Sequence, residues 1–162
     1  MIRHPTKGIV IKMKEDIIEM LHYGQPIEVQ KKGIELAMGM EELFFLLEKA
    51  ELPEYSDNCA TVFTSLDYVR CRKYFDELFA WIEDINAPDA IRIIDYLSAA
   101  PCETVYDSFK NATSACLKRV NSANAQTLKM ILRANRELYN EFLRRDRDLL
   151  KQLTCITNDL SF

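Results

Sequence analysis

The sequence predicts an all-α fold, an irregular stack of antiparallel helical hairpins, on three observations. Only four glycines and five prolines interrupt 162 residues, too few for a sandwich or barrel, where strands end about every 8–12 residues. The stretches between them are rich in Leu, Glu, Lys, Ala and Met, which lose little side-chain freedom in a helix. Apolar residues in those stretches recur at steps of three and four, the helical period. A hydrophobic content of 48% and a charged content of 28% suit one soluble domain over residues 1–162 that buries a real core.

Taken in order, residues 1–13 read as a loose start, and a first helix is expected over Lys14–Tyr23, with Ile17, Ile18 and Leu21 on one face. Gly24 ends it and Pro26 starts the next, which carries Ile27, Ile34, Ala37 and Met38; a proline loses nothing by lacking an N–H at a helix start. Gly39 breaks or bends that helix before EELFFLLEKA. ELPEYSDN reads as a loop, with Ser56 or Asp57 capping a helix of Cys59, Val62, Phe63 and Leu66. Cys71, Phe75, Leu78, Phe79, Ile82 and Ile85 then form a stripe beside the only tryptophan, Trp81.

Asn86 and Pro88 mark a stop and a restart before Ile91, Ile94 and Leu97, and Pro101 opens a helix with Val105, Phe109, Ala112 and Cys116. Short connections with a proline at each helix start turn neighbouring helices antiparallel, although the units after Pro26 and Pro88 share no residue-level repeat. From Ser122, read as a cap, no Gly or Pro occurs to the end, which predicts one long C-terminal helix. Its residues Leu128, Ile131, Asn135, Leu138, Phe142, Arg145, Leu149 and Gln152 alternate steps of three and four. Such a seam serves either packing along the bundle or a homodimer; the polar members Asn135, Arg145 and Gln152 favour the first.

Several function classes have no support in the residues. There is no run of about 18 apolar residues to cross a membrane, and Ile9, Val10 and Ile11 are too short a patch for a signal-peptide core, so a cytoplasmic location is expected. The cysteines (Cys59, Cys71, Cys102, Cys116, Cys155) are odd in number, scattered and without a Cys-x-x-Cys pair, as expected of buried reduced thiols. Neither histidine, His4 or His22, stands in a ligand spacing, and nucleophile-elbow, phosphate-loop and dinucleotide motifs are missing. The adjacent acid pairs Glu41/Glu42, Asp76/Glu77 and Glu83/Asp84 diverge by about 100° on a helix and cannot converge on one ion. The expectation is a binding protein with no catalytic residue, metal or cofactor; carboxylates that meet only in space leave a Glu/Asp hydrolase open.

Charge is uneven. Through Leu117 there are 12 Lys/Arg against 20 Asp/Glu, with 5 against 15 between Glu41 and Asp107, whereas Lys118–Lys151 has 9 against 4. The acidic middle favours a basic protein partner, whose encounter it would steer. The basic tail (Arg133, Arg136, Arg144, Arg145, Arg147, Lys151) is interleaved with Glu137, Glu141, Asp146 and Asp148, which favours internal ion pairs over nucleic-acid binding.

Two stretches carry a family resemblance. IIEMLHYGQPIEVQKKGIELA and LFAWIEDINAPDAIRIIDYLSAAP resemble the two signatures of the HEAT-like α-helical immunity proteins of bacterial contact-dependent growth inhibition and polymorphic toxin systems. Where that family often reads Asn-Trp-Pro-Gly, this chain has Asn86-Ala87-Pro88-Asp89. The resemblance covers Ile17 to Pro101 and implies a cytoplasmic protein that neutralises a cognate toxin, often a nuclease, by stoichiometric binding. It brings no shared catalytic or contact residues. A nuclease's basic cleft would meet acids of the central segment, which makes Glu83, Asp84, Asp89, Asp95, Glu103 and Asp107 the candidate contacts, with Trp81 or an exposed tyrosine as anchor. The rival readings are a helical-repeat scaffold and a nucleic-acid-binding regulator that uses the basic C-terminal helix.

Overall fold

The computed structural model describes residues 7–156, and among them the only regular elements are helices. In order they are α1 (Lys7–Leu21), α2 (Ile27–Met38), α3 (Phe44–Ala50), α4 (Pro53–Ser65), α5 (Tyr68–Cys71), a 3-10 turn (Arg72–Tyr74), α6 (Phe75–Trp81), α7 (Ala90–Ser98), α8 (Cys102–Arg119), α9 (Ser122–Ala134), α10 (Arg136–Arg145) and α11 (Arg147–Ile156). The chain divides into two compact units, one ending at Leu66 and one beginning at Asp67.

In the first unit α1 packs on α2, and α4 packs on both α2 and α3. The α1–α2 approach depends on Gly33, because a Cβ there would lie 2.7 Å from Met20 Cβ. Ile17, Leu21, Leu43, Leu46, Val62 and Phe63 are buried. Buried Asn58 donates to the Leu21 carbonyl and to Gln30 Oε1, 2.8 Å each, and Gln30 in turn donates to the Tyr23 and Gln25 carbonyls. This chain of amides satisfies the turn between α1 and α2 and fixes it to α4.

Two expectations are corrected here. α1 starts at Lys7 rather than Lys14, so residues 7–13 are helical, and of the expected loose segment residues 1–6 lie outside the described residues. The segment read as a loop is largely helix: Pro53 occupies the first turn of α4, and Ser56 and Asp57 lie inside it. The device seen at Pro26 and Pro101 also operates at Pro53, since a proline's fixed φ suits a helix start.

In the second unit α8 is the spine, with α6, α9, α10 and α11 packed on it and α7 on α9. Its core is aromatic. Phe109 stands edge-on to Phe79 (5.9 Å between ring centres) and to Phe142 (5.2 Å), and Tyr106 tilts against Phe142 at 5.8 Å. α8 ends at Val120, held left-handed at φ 51° while 70% exposed. A β-branched residue is strained in that conformation and glycine is not. Val120→Gly is expected to raise stability by about 1 kcal/mol, seen as a higher thermal midpoint; an unchanged or lower midpoint contradicts the strain.

The predicted single C-terminal helix is three helices, broken at Asn135 and Asp146. Asn121, not Ser122, caps α9 by accepting from the Asn124 N–H at 3.1 Å. Asn135 accepts from the Leu138 N–H at 3.0 Å and donates to the Ala100 carbonyl at 2.8 Å. Asn and Asp side chains compete with helix carbonyls and amides in this way, favouring a cap over an interior position. The breaks reset the phase of the seam. Leu128, Ile131, Leu138 and Phe142 are buried as expected, but Arg145 and Gln152 are exposed and Leu150 and Leu153 are buried instead.

Candidate acidic groove

The acids of the second unit do not all gather in one place. Glu103 and Asp107, one turn apart on α8, line a groove of about 410 Å³ together with Glu137 and Glu141, one turn apart on α10, and with Cys102, Tyr106 and Arg145. Residues four apart share a helix face, so packing α10 along α8 sets two rungs of carboxylates opposite one another. Among the described residues that line it the one cation is Arg145, which stacks over the Tyr106 ring at 4.4 Å and approaches Glu141 at 3.5 Å; Arg72, outside the lining, approaches Asp107 at 3.7 Å. Glu141 is also gripped by Arg144, at 2.5 and 3.0 Å, and that hydrogen bond holds its carboxyl below the ordinary range.

The remaining candidates lie outside that groove. Glu83 lies in a smaller cavity of about 250 Å³ between α6 and α8, paired with Arg119 at 2.5 Å. Asp84 accepts from the Asn86 backbone N–H at 2.9 Å and from its side chain at 3.2 Å. Asp89 is left-handed, φ 58°, at the start of α7 and approaches Arg92 at 3.6 Å. Asp95 is exposed on α7. Trp81 is half-buried, and its indole N–H donates to the Pro88 carbonyl at 2.9 Å, so the ring braces the turn before α7.

Glu137 and Glu141 were missed as candidates because they sit in the stretch with the basic excess. Their four-residue spacing, the same as that of Glu103 and Asp107, was the available signal. The basic tail itself is partly neutralised: Arg144 and Arg145 pair with Glu141, Lys151 approaches Asp148 at 3.9 Å, and Lys129 is fully buried.

Four of the groove's seven lining residues are carboxylates. Burial, followed by the charges of Glu141, Glu103 and Glu137, pushes the Cys102 thiol above its ordinary pKa. A thiol kept protonated is a poor nucleophile. Burial likewise raises Cys59, to about 12, and Cys71, to about 11. All five cysteines were expected to be buried; Cys59, Cys71 and Cys116 are, whereas Cys102 is only half-buried and Cys155 is exposed. No group of three or more His, Cys, Asp or Glu among the described residues is arranged to hold a metal ion, and no described helix is long and apolar enough to cross a membrane.

Beneath the groove, Asp146 accepts from the Tyr106 hydroxyl and from Lys110 Nζ, the latter at 2.8 Å. Burial works to raise the Asp146 pKa, but the bonds from Lys110 and Tyr106 outweigh it and hold the carboxyl below the ordinary range. A depressed folded-state pKa contributes stability that is complete above the unfolded value of about 3.9 and is lost as pH falls through the folded one. Asp146→Asn is therefore expected to be less stable than the parent at pH 6, with the gap closing below about pH 4. Urea unfolding across that range checks it, and a gap independent of pH contradicts the assignment.

No family model matches the chain, and neither a curated protein nor a solved structure matches it.

Proposed function

We propose that this chain is an immunity protein that binds a cognate bacterial toxin domain in the cytoplasm and blocks it stoichiometrically, with the α8–α10 groove facing a basic surface of the toxin. The observation that carries the reading is the groove itself: two rungs of carboxylates, with an aromatic ring and a thiol kept protonated between them. Such a surface suits capture of lysine and arginine side chains and offers little for catalysis. A nuclease cleft built to hold phosphate presents those cations, and carboxylates held on two packed helices would compete with nucleic acid for them.

A second feature supports the kinship to toxin-neutralising proteins. Asp89 stands where the resembling family often carries glycine, and it adopts the left-handed backbone glycine favours, φ 58°. Aspartate is among the few other residues that visit that region routinely.

Growth rescue tests the role. Co-expression with the toxin domain of a neighbouring gene should restore growth from that toxin and give a 1:1 complex on a sizing column; failure of both, or a locus without such a gene, rejects the reading. The groove is tested separately with Glu103→Lys/Glu137→Lys. Association should slow by about tenfold or more at low salt and by far less at high salt. Charge reversal at Asp84 and Asp95, outside the groove, should leave the rate near that of the parent, and equal slowing by both pairs would assign the steering to net charge instead.

A further inference from the structure

The turn between α1 and α2 presents an aromatic ring to solvent. Tyr23 is 68% exposed and is the only exposed tyrosine among the described residues, whereas the Trp81 indole is committed to the turn before α7. The Tyr23 ring is held in place. His22 stacks behind it, 5.1 Å between ring centres at 17°, and itself stands edge-on to Tyr55 of α4 at 5.2 Å. The Gly24 N–H donates to His22 Nδ1 at 2.9 Å, and a Cβ on Gly24 would lie 2.9 Å from that same atom, so any side chain there would displace the imidazole. The Tyr23 N–H donates to the Glu54 carbonyl at 2.9 Å, and the Tyr23 carbonyl accepts from Gln30 Nε2 at 3.0 Å. At the same end of this hairpin, a groove of about 240 Å³ is lined by Asp16, Glu19, Met20, Gln25 and Val29. Its two carboxylates, three residues apart, share one face of α1. No lysine or arginine among the described residues lines it.

We propose that Tyr23 anchors a docking surface for a basic protein domain, its ring entering an apolar pocket of the partner while Asp16 and Glu19 meet lysines or arginines beside it. A ring already fixed by its stack and by both of its backbone groups loses little freedom on binding, and rigid tyrosines are among the side chains that carry most of an interface's energy. Charge complementarity selects the occupant. An acidic groove without a cation in its lining repels another acidic chain, including a second copy of this one with its net charge of −4, and it attracts a basic domain. The identity of that domain as the toxin rests on the reading above. The surface itself belongs to the first unit and shares no residue with the α8–α10 groove.

Binding kinetics of the full chain with the toxin domain of a neighbouring gene test this surface. Tyr23→Ala should weaken the complex about thirtyfold or more, the range of a central anchor, chiefly through faster dissociation. Tyr23→Phe keeps the ring and should bind close to the parent. Asp16→Lys/Glu19→Lys should instead slow association about tenfold at low salt and far less at high salt. Ile9→Ala, at the other end of α1 and 60% exposed in the parent, should change neither rate. The Tyr23 side chain is exposed, so Tyr23→Ala should keep a thermal midpoint near the parent's, which separates a lost contact from a lost fold. If the parent forms no complex, the toxin reading and this surface fall together. If the parent binds and Tyr23→Ala binds as tightly, or Ile9→Ala weakens the complex equally, this surface alone falls. A parent that elutes as a dimer which Tyr23→Ala dissolves assigns the ring to self-association and overturns the proposal as well.

Discussion

Phe109→Ala is expected to cost about 4 kcal/mol of folding stability, the upper part of the range for emptying a large aromatic site. Phe109 is fully buried on α8, with Phe79 of α6 on one side and Phe142 of α10 on the other, both edge-on. Its removal takes away apolar burial and two ring contacts together, and three helices anchored elsewhere cannot all close on the space. Trp81, at the end of α6 in the same unit, gives a fluorescence signal that follows this unfolding in urea. Phe109→Leu, which keeps most of the volume, should lose less than about 2 kcal/mol. A loss below that figure for the alanine variant would show that the cluster is not the centre of the second unit's core. The same substitution should also disturb the acidic groove, because Phe109 and Phe142 set the separation of α8 and α10 on which its two rungs depend.

That dependence explains which parts of the molecule were legible in the sequence. Period alone located the buried faces of most helices: Ile17 and Leu21, Cys59 with Val62 and Phe63, Phe75 with Leu78 and Phe79, Val105 with Phe109 and Cys116 are all buried. Burial of one helical face leaves a repeating trace, and a repeat can be read without knowing the partner. Helix ends were harder where the ending residue had no glycine or proline to announce it. Asn135 and Asp146 end helices through side-chain bonds to Ala100 on one side and to Lys110 and Tyr106 on the other, partners 35 and more residues away.

The site was half legible for the same reason. A count of acids along the chain singled out Glu103 and Asp107, but it could not assign Glu137 and Glu141 to the same place, because only the packing of α10 on α8 joins them. The count also promoted Glu83, Asp84, Asp89 and Asp95, which lie outside the groove, and it did not show that Arg72 approaches Asp107 inside it. Charge density measures how many carboxylates a segment holds and says nothing of which ones its own turns consume.

Asn135→Ala should lower stability by about 3 kcal/mol. Loss of an N-cap costs about 1 kcal/mol, and leaving the Ala100 carbonyl buried without its donor costs a further ~1–3 kcal/mol. Asn135 is 8% exposed, which leaves little room for water to replace the lost bond. Asn135→Asp separates the two contributions: its carboxylate can still accept from the Leu138 N–H but has nothing to donate to Ala100, so it should retain the cap and still lose more than about half of the total. Alanine also removes the cap and tether by which Asn135 holds the backbone out of helix, which favours joining α9 to α10. Fusion would rotate Glu137 and Glu141 away from Glu103 and Asp107. If the proposed toxin binding holds, the alanine variant should therefore weaken that association beyond its loss of stability, even under conditions where it remains folded. If it folds with parent-like stability and keeps the parent's association rate, the break at Asn135 is not what positions the groove.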